Sequence, residues 1–240
     1  MTSDLYFPPN GDWERREASS LGINQSALER AVQFAKENEI AWPIDLRKRN
    51  VSKDPTKWSA KIGLMKPRGG PAGVVIKDGF IVAEWGDVER VDLTYSATKS
   101  YLSALVGVAF DHGLINDTST PVFEYEDGKS IKMHKTSLDV DGFASGQNKL
   151  ITWEHLLQQT SEWEGTLYTK PDVVDWNRDL SSVGMGQENY LKRRDRMLPG
   201  SHWEYNDVRV NRTALALLCV CGEPLPGVLK REIMDPIGAS

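Results

Sequence analysis

A serine stands three residues ahead of a lysine in Tyr95-Ser96-Ala97-Thr98-Lys99, at the head of a mostly apolar helical stretch. Positions i and i+3 of a helix share a face, so the Lys99 nitrogen can reach the Ser96 oxygen. The free N–H groups of a first helical turn, and the positive end of the dipole, favour an alkoxide or oxyanion there. A lysine acts as a base only when burial or another cation lowers its pKa. Spacing alone is a weak signal. In a chain with 18 serines, roughly one Ser-x-x-Lys tetrad arises by chance, and Ser96 as an N-cap beside a solvated Lys99 fits the same residues.

A second group lies in Pro199-Gly200-Ser201-His202-Trp203-Glu204-Tyr205-Asn206-Asp207, a turn that leads into a helix. A phenol passes protons between a nucleophile and a leaving group when a neighbouring cation lowers its pKa from about 10. Lys99 is a cation of that kind. The plainer reading is that Tyr205 donates to a backbone carbonyl while Asn206 or Asp207 caps a helix at Asn211.

The elements that must position these groups follow from the apolar pattern. Ser96 to Asp111 reads as the best helix, with Leu102, Leu105, Val106, Ala109 and Phe110 on one side and Gly113 ending it. Ser26-Ala27-Leu28-Glu29 reads as a capping box that opens an earlier helix with Leu28, Ala31, Val32 and Ala35 as its stripe. Thr152 caps a helix starting at Trp153, and Asn211–Val220 and Leu225–Met234 supply two more. A polar loop from Asn50 to Pro71 delivers the chain to a hairpin over 73–86, with Asp78-Gly79 in its turn. Residues 120 to 200 read as loops with short helices. One hairpin against at least five helices is an incomplete sheet, because two strands alone are marginal and leave two unpaired edges.

Composition narrows the function classes. The 240 residues carry 34 acidic and 29 basic side chains for a net charge of -5, with no long single-sign run, which argues against nucleic acid as a partner. Arg47-Lys48-Arg49, followed by Lys53 and Lys57 and interrupted by Asp54, reads as a solvated loop. No stretch approaches the roughly 18 apolar residues of a membrane span. The first residues lack the basic head and apolar run of a signal peptide, so the expected compartment is the cytoplasm. Cys219 and Cys221, at i, i+2 on a helix, point in different directions, so no intrachain disulfide is expected. His112, His134, His155 and His202 form no ligand pair, so neither a metal nor any other cofactor is expected.

Four blocks, in order, resemble the serine β-lactamase and penicillin-binding-protein superfamily, in particular class C β-lactamases, DD-peptidases and related esterases. Tyr95 to Tyr101, continuing to His112-Gly113-Leu114-Ile115-Asn116-Asp117, resembles the nucleophile helix and the turn after it. Ile151 to Ser161 is similar to a segment that usually ends in His-Thr-Ser-Gly, with Gln159 and Glu162 as departures. Pro199-Gly200 to Asp207 resembles the Tyr-x-Asn block, with Asp207 where that family has asparagine, and Asp235-Pro236-Ile237-Gly238 resembles Pro-Leu-Gly.

The resemblance implies an α+β fold of the β-lactamase/transpeptidase kind: an antiparallel sheet flanked by helices, plus a mainly helical subdomain. Residues 1–95 then give the amino-terminal helix and hairpin, 96–235 the helical part, and 236–240 the start of the return to the sheet. It further implies Ser96 as acylated nucleophile, Lys99 as its proton-accepting neighbour and Tyr205 as base or water activator. A carboxylate at Asp207 would hold Lys99 protonated and move base duty toward Tyr205, and it offers no amide to a β-lactam side chain. Asn206 is the alternative substrate contact beside Asp207.

The family's Lys-Thr-Gly or His- and Gly-rich strand has no counterpart in the sequence. The expectation is therefore that the C-terminal sheet strands lie outside this chain, as a missing segment or a second chain acting as partner. The expected function is a serine hydrolase cleaving a small ester or amide. The alternatives are an acylated sensor or binding module, and a non-catalytic member of the same fold. Trp153, Trp163, Trp176 and Trp203 either line an aromatic acyl pocket or belong to the core.

Overall fold

Asp78 and Gly79 both take positive φ, 53° and 86°, as the two-residue turns that match strand twist require. The strands they join, β1 (Gly73–Lys77) and β2 (Phe80–Trp85), pair antiparallel from Lys77↔Phe80 to Gly73↔Trp85, with the register shifting between Val75 and Ile76. The free edge of β2 is not bare. Residues 14–16 run alongside it, Arg16 N–H donating to Ile81 O and Ile81 N–H to Glu14 O, both at 3.0 Å. The irregular start of the chain thus covers an edge that the sequence leaves unpaired.

The computed structural model describes residues 6–9, 11, 13–48, 65–126, 142–176 and 194–239. Most of the polar 50–71 loop, with Lys53 and Lys57, and also Arg49 and His134 lie outside the described residues. The described residues form two units, one holding those up to Tyr95 together with those from Met234 onward, the other running Ser96–Ile233. Both are mixed α and β in a broad sense: six α-helices and two two-stranded antiparallel sheets occur among the described residues. None of these helices is by itself long and apolar enough to cross a membrane.

In the first unit, α1 (Gln25–Glu37) packs on β2. It starts before the expected Ser26 box, because Asn24 caps it by accepting from Ala27 N–H at 2.9 Å. Asparagine is as good a cap as serine, and it comes first in the chain. Glu29 instead accepts from Gln25 Nε2 at 3.0 Å. Leu28, Val32 and Ala35 are half-buried as the stripe predicts, but Ala31 is exposed. Phe80 is buried between the Tyr6 ring, stacked at 4.4 Å, and the Arg16 guanidinium at 3.6 Å.

The second unit is built around α5 (Asp207–Cys221). It packs against α2 (Thr98–Asp111), α3 (Phe123–Glu126), α4 (Trp153–Leu157), strand β3 (Thr166–Leu167) and α6 (Leu225–Leu229). Its core includes Ile115, Phe143, Ile151, Trp153, Trp163, Ala216 and Leu217, all fully buried. Gly113, at φ 68°, closes the end of α2 as expected. Thr152 caps α4 by accepting from His155 N–H, and His155 Nδ1 accepts in return from Thr152 N–H. An imidazole thus takes the place that a capping box usually gives to Glu or Gln.

Two features depart from the sequence reading. Helix α5 starts at Asp207, four residues before Asn211, because Asn206 caps it. A second hairpin joins β3 to β4 (Lys170–Pro171) through Tyr168 and Thr169 at φ 50° and 70°. Without Gly or Asn at those positions the turn carries no sequence signal.

The α2 stripe also divides: Leu105, Val106 and Ala109 are buried, whereas Phe110 is 47% exposed. Leu217→Ala should cost about 2–5 kcal/mol through loss of burial and the cavity left behind. Phe110→Ala should stay within about 1 kcal/mol. Urea unfolding curves of the two variants test this difference.

Candidate active site

The backbone turns sharply just before Ser96. Tyr95 takes φ 46°, a left-handed conformation that costs a non-glycine residue about 1–2 kcal/mol. Tyr95–Ala97 form a 3₁₀ turn, and α2 follows with Ala97, not Ser96, as its N-cap residue. The serine hydroxyl is therefore not a helix cap. It lies at an exposed position, 2.5 Å from the phenol oxygen of Tyr205, 109 residues away in sequence. Lys99 Nζ donates to the same serine oxygen at 3.1 Å and to Asp207 Oδ1 at 2.7 Å, and lies 4.7 Å from the centre of the Tyr205 ring. Ser96, Lys99, Tyr205 and Asp207 thus form one connected group.

The charge state of Lys99 follows from these neighbours. Burial pulls its ammonium pKa down, but the hydrogen bonds and charge of Asp207 and Tyr205 prevail and raise it above the ordinary 10.5. Lys99 is therefore an ammonium at neutral pH. The proton-accepting role that the resemblance gave it does not suit this environment, and the carboxylate of Asp207 is the reason.

The loop bearing Tyr205 is tied to the segment that follows α4. Gly200 N–H donates to Thr160 O at 2.8 Å and Glu204 N–H to Gln159 O at 3.1 Å. Gly200 is at φ 86°, and a Cβ there would stand 2.8 Å from the His155 ring, so both conformation and space call for glycine. Asn206 is 1% exposed, with Oδ1 accepting from Arg209 N–H and Nδ2 donating to Asp172 O. Both ends of its amide are engaged inside the fold, where it serves as the cap of α5. Asp207 is the partner of Lys99. Of the tryptophans, Trp153, Trp163 and Trp176 are buried, and Trp203 is 55% exposed. A small cleft of about 50 Å³ opens beside Lys99, lined by Ser103, Gln159 and Thr213 among others.

A buried ion cluster underlies the Tyr205 loop. Glu162, 0% exposed, is bonded by Arg194 at 2.6 Å and 2.7 Å, by Arg209 at 2.7 Å and by Met197 N–H at 3.0 Å. Arg194 and Arg209 also meet Glu204, at 3.1 Å and 3.3 Å. Asp172 takes Arg209 and Arg196 and accepts from Trp176 Nε1. Burial alone would push the Glu162 carboxyl up, but Arg194, Arg209 and the Met197 N–H outweigh it and hold its pKa at about 2.

Sequence reasoning missed this cluster. Its one visible trace was Glu162 itself, standing where the resembling pattern has glycine, and it takes the left-handed φ of 49° that a glycine would take freely. Among the described residues no group of three or more His, Cys, Asp or Glu side chains is arranged to hold a metal.

Because the folded Glu162 pKa lies below the ordinary 4.5, its stabilisation is present above that value and is lost as pH falls toward 2. Glu162→Gln should cost on the order of 3–5 kcal/mol at neutral pH by leaving the buried Arg209 and the partly buried Arg194 undercompensated. It should also flatten the acid limb of stability between pH 4.5 and 2. Chemical denaturation at stepped pH measures both, and an unchanged acid limb would remove the linkage. No protein-family model matches the sequence, and no curated protein matches it.

Proposed function

We propose that the chain carries a β-lactamase-related serine hydrolase site, which forms an acyl-enzyme on Ser96 and cleaves a small ester or amide. The observation that carries this reading is the hydroxyl of Ser96 held between the Tyr205 phenol and the Lys99 ammonium. A serine that serves only as a surface hydroxyl has no need of a phenol from 109 residues away in addition to the lysine three residues on. The Ser-x-x-Lys and Tyr-x-Asp blocks give this reading its family, and the mixed α+β architecture is compatible with a β-lactamase-like fold.

The proton path needs no preformed strong base. As Ser96 Oγ bonds to the substrate carbonyl carbon and the carbonyl π pair moves to oxygen, the serine proton passes to Tyr205 while the hydroxyl proton of Tyr205 passes in the same motion to the leaving-group oxygen or nitrogen, so the phenol never holds two protons. When the tetrahedral adduct collapses, the oxyanion pair re-forms the carbonyl and the bond to the protonated alcohol or amine breaks. Water then adds to the acyl-enzyme, passes a proton through Tyr205 to Ser96 Oγ, and releases the acid. Lys99, kept cationic by Asp207, stabilises the negative charge that moves across the serine and tyrosine oxygens.

A fluorophosphonate should label the unaltered chain at Ser96, as peptide mapping would locate. Ser96→Ala should lose the label, and Tyr205→Phe should slow labelling by about 10²–10⁴. Undiminished labelling of Ser96→Ala defeats the proposal. The firm Lys99–Asp207 ion pair also suits a protein that is acylated once and keeps the acyl group. A stoichiometric burst of product from an activated ester, with no turnover after it, would select that second reading.

A further inference from the structure

We infer that Glu204 is a positioning residue for Tyr205, its carboxylate clamped between Arg194 and Arg209 so that the phenol stays on Ser96. This rests on the serine-hydrolase reading above and deepens it.

Tyr205 itself lies in an extended run, residues 202–206, that belongs to no helix or strand. Such a segment has no ladder to hold it, yet proton transfer to and from Ser96 needs the phenol fixed within a fraction of an ångström. The residues on either side supply what the backbone lacks. Glu204 is 7% exposed and is tied by its N–H to Gln159 O, and by its carboxylate to Arg194 at 3.1 Å and Arg209 at 3.3 Å. Asn206, 1% exposed, is bonded at both ends of its amide. The phenol therefore projects from a short span pinned on both sides.

The pin at Glu204 is stiff because its arginines are not free to follow it. Both guanidinium groups are already fixed on the fully buried Glu162, Arg194 at 2.6 Å and Arg209 at 2.7 Å. Arg209 also belongs to the first turn of α5, the same turn that carries Asp207 to Lys99. A displaced Glu204 would have to drag that turn with it. Displacements of about 1 Å at a reacting group can cost about 100-fold in rate.

The test separates positioning from simple support of the fold. The rate constant for fluorophosphonate labelling of Ser96 is measured in the unaltered chain, in Glu204→Gln, in Tyr205→Phe and in the double variant. Glu204→Gln should label about tenfold more slowly, as a partial misplacement of the phenol. The double variant should match Tyr205→Phe within about twofold, because a residue acting through Tyr205 has nothing left to position. Glu204→Asp, which keeps the charge, should recover part of the rate.

Labelling of Glu204→Gln at the unaltered rate overturns the inference. So does a loss that multiplies with that of Tyr205→Phe. If Glu204→Gln does not fold, Arg194→Lys, which keeps the charge but not the planar fork, gives the same comparison with the same expected pattern. An unaltered chain that never labels at Ser96 defeats the hydrolase reading and the inference with it, whereas the two results above defeat the inference alone.

Discussion

Glu162 combines a left-handed backbone with a carboxylate that has no contact with water, and each is unfavourable alone. The conformation costs about 1–2 kcal/mol, and an unpaired buried charge costs several. Both are tolerable because the surrounding cluster is close to neutral: Glu162, Asp172 and Glu204 face Arg194, Arg196 and Arg209. Nearly every oxygen in it has a guanidinium or backbone donor in front of it. Such a set works as a unit, since removing one member leaves its partners with charge they cannot return to solvent. The segments that meet there, residues 162–172, 194–196 and 204–209, are otherwise short on regular structure, and the ion cluster holds them in one arrangement.

Helix α5 joins that cluster to the group formed by Ser96, Lys99, Tyr205 and Asp207. Its first turn places Asp207 toward Lys99 and Arg209 toward Glu162 and Asp172, two residues apart and in two separate ion systems. The negative charge of Asp207 at the helix start is also favoured by the dipole. Behind the turn, Ala216, Leu217 and Val220 are buried in the core. The position of Asp207 is thus fixed by packing at one end of α5 and by buried charge at the other. Lys99 then has little freedom, because its nitrogen is held by the carboxylate and lies beside the phenol.

Local rules made some of this legible and left the rest hidden. The Asp78-Gly79 turn, the Thr152 cap and the Gly113 stop each depend on a few adjacent residues, and each appears where the sequence puts it. The Ser96–Lys99 contact was expected from their i, i+3 spacing, whereas the approach of Tyr205 was expected from the order of the blocks and not from any local periodicity. The start of α1 was misplaced because Asn24 stands ahead of the expected Ser26 cap, and α5 begins directly after its Asn206 cap rather than at Asn211. Asn206 reads as a cap or as a substrate contact, because one amide side chain serves either purpose and burial has no local signature. The ion cluster was invisible because acidic and basic residues scattered over 162–209 read as solvated surface until the fold brings them together.

On the proposed chemistry, Asp207 and Glu162 act in the same direction. A neutral amide at position 207 would leave Lys99 with burial as the dominant influence, which lowers its pKa and lets it serve as a base. With the carboxylate in place the lysine stays charged, and proton traffic on the proposed chemistry must run through the Ser96–Tyr205 contact. A shared proton between two hydroxyls is far more sensitive to distance and angle than attraction between two charges, because hydrogen bonding and proton transfer are directional whereas Coulomb attraction falls off slowly. A site of this kind therefore needs a rigid tyrosine more than a tuned lysine. Glu162 fixes the two arginines holding Glu204 beside Tyr205. On the proposed chemistry, Asp207 thus places the demand on Tyr205, and Glu162 helps supply the rigidity that meets it.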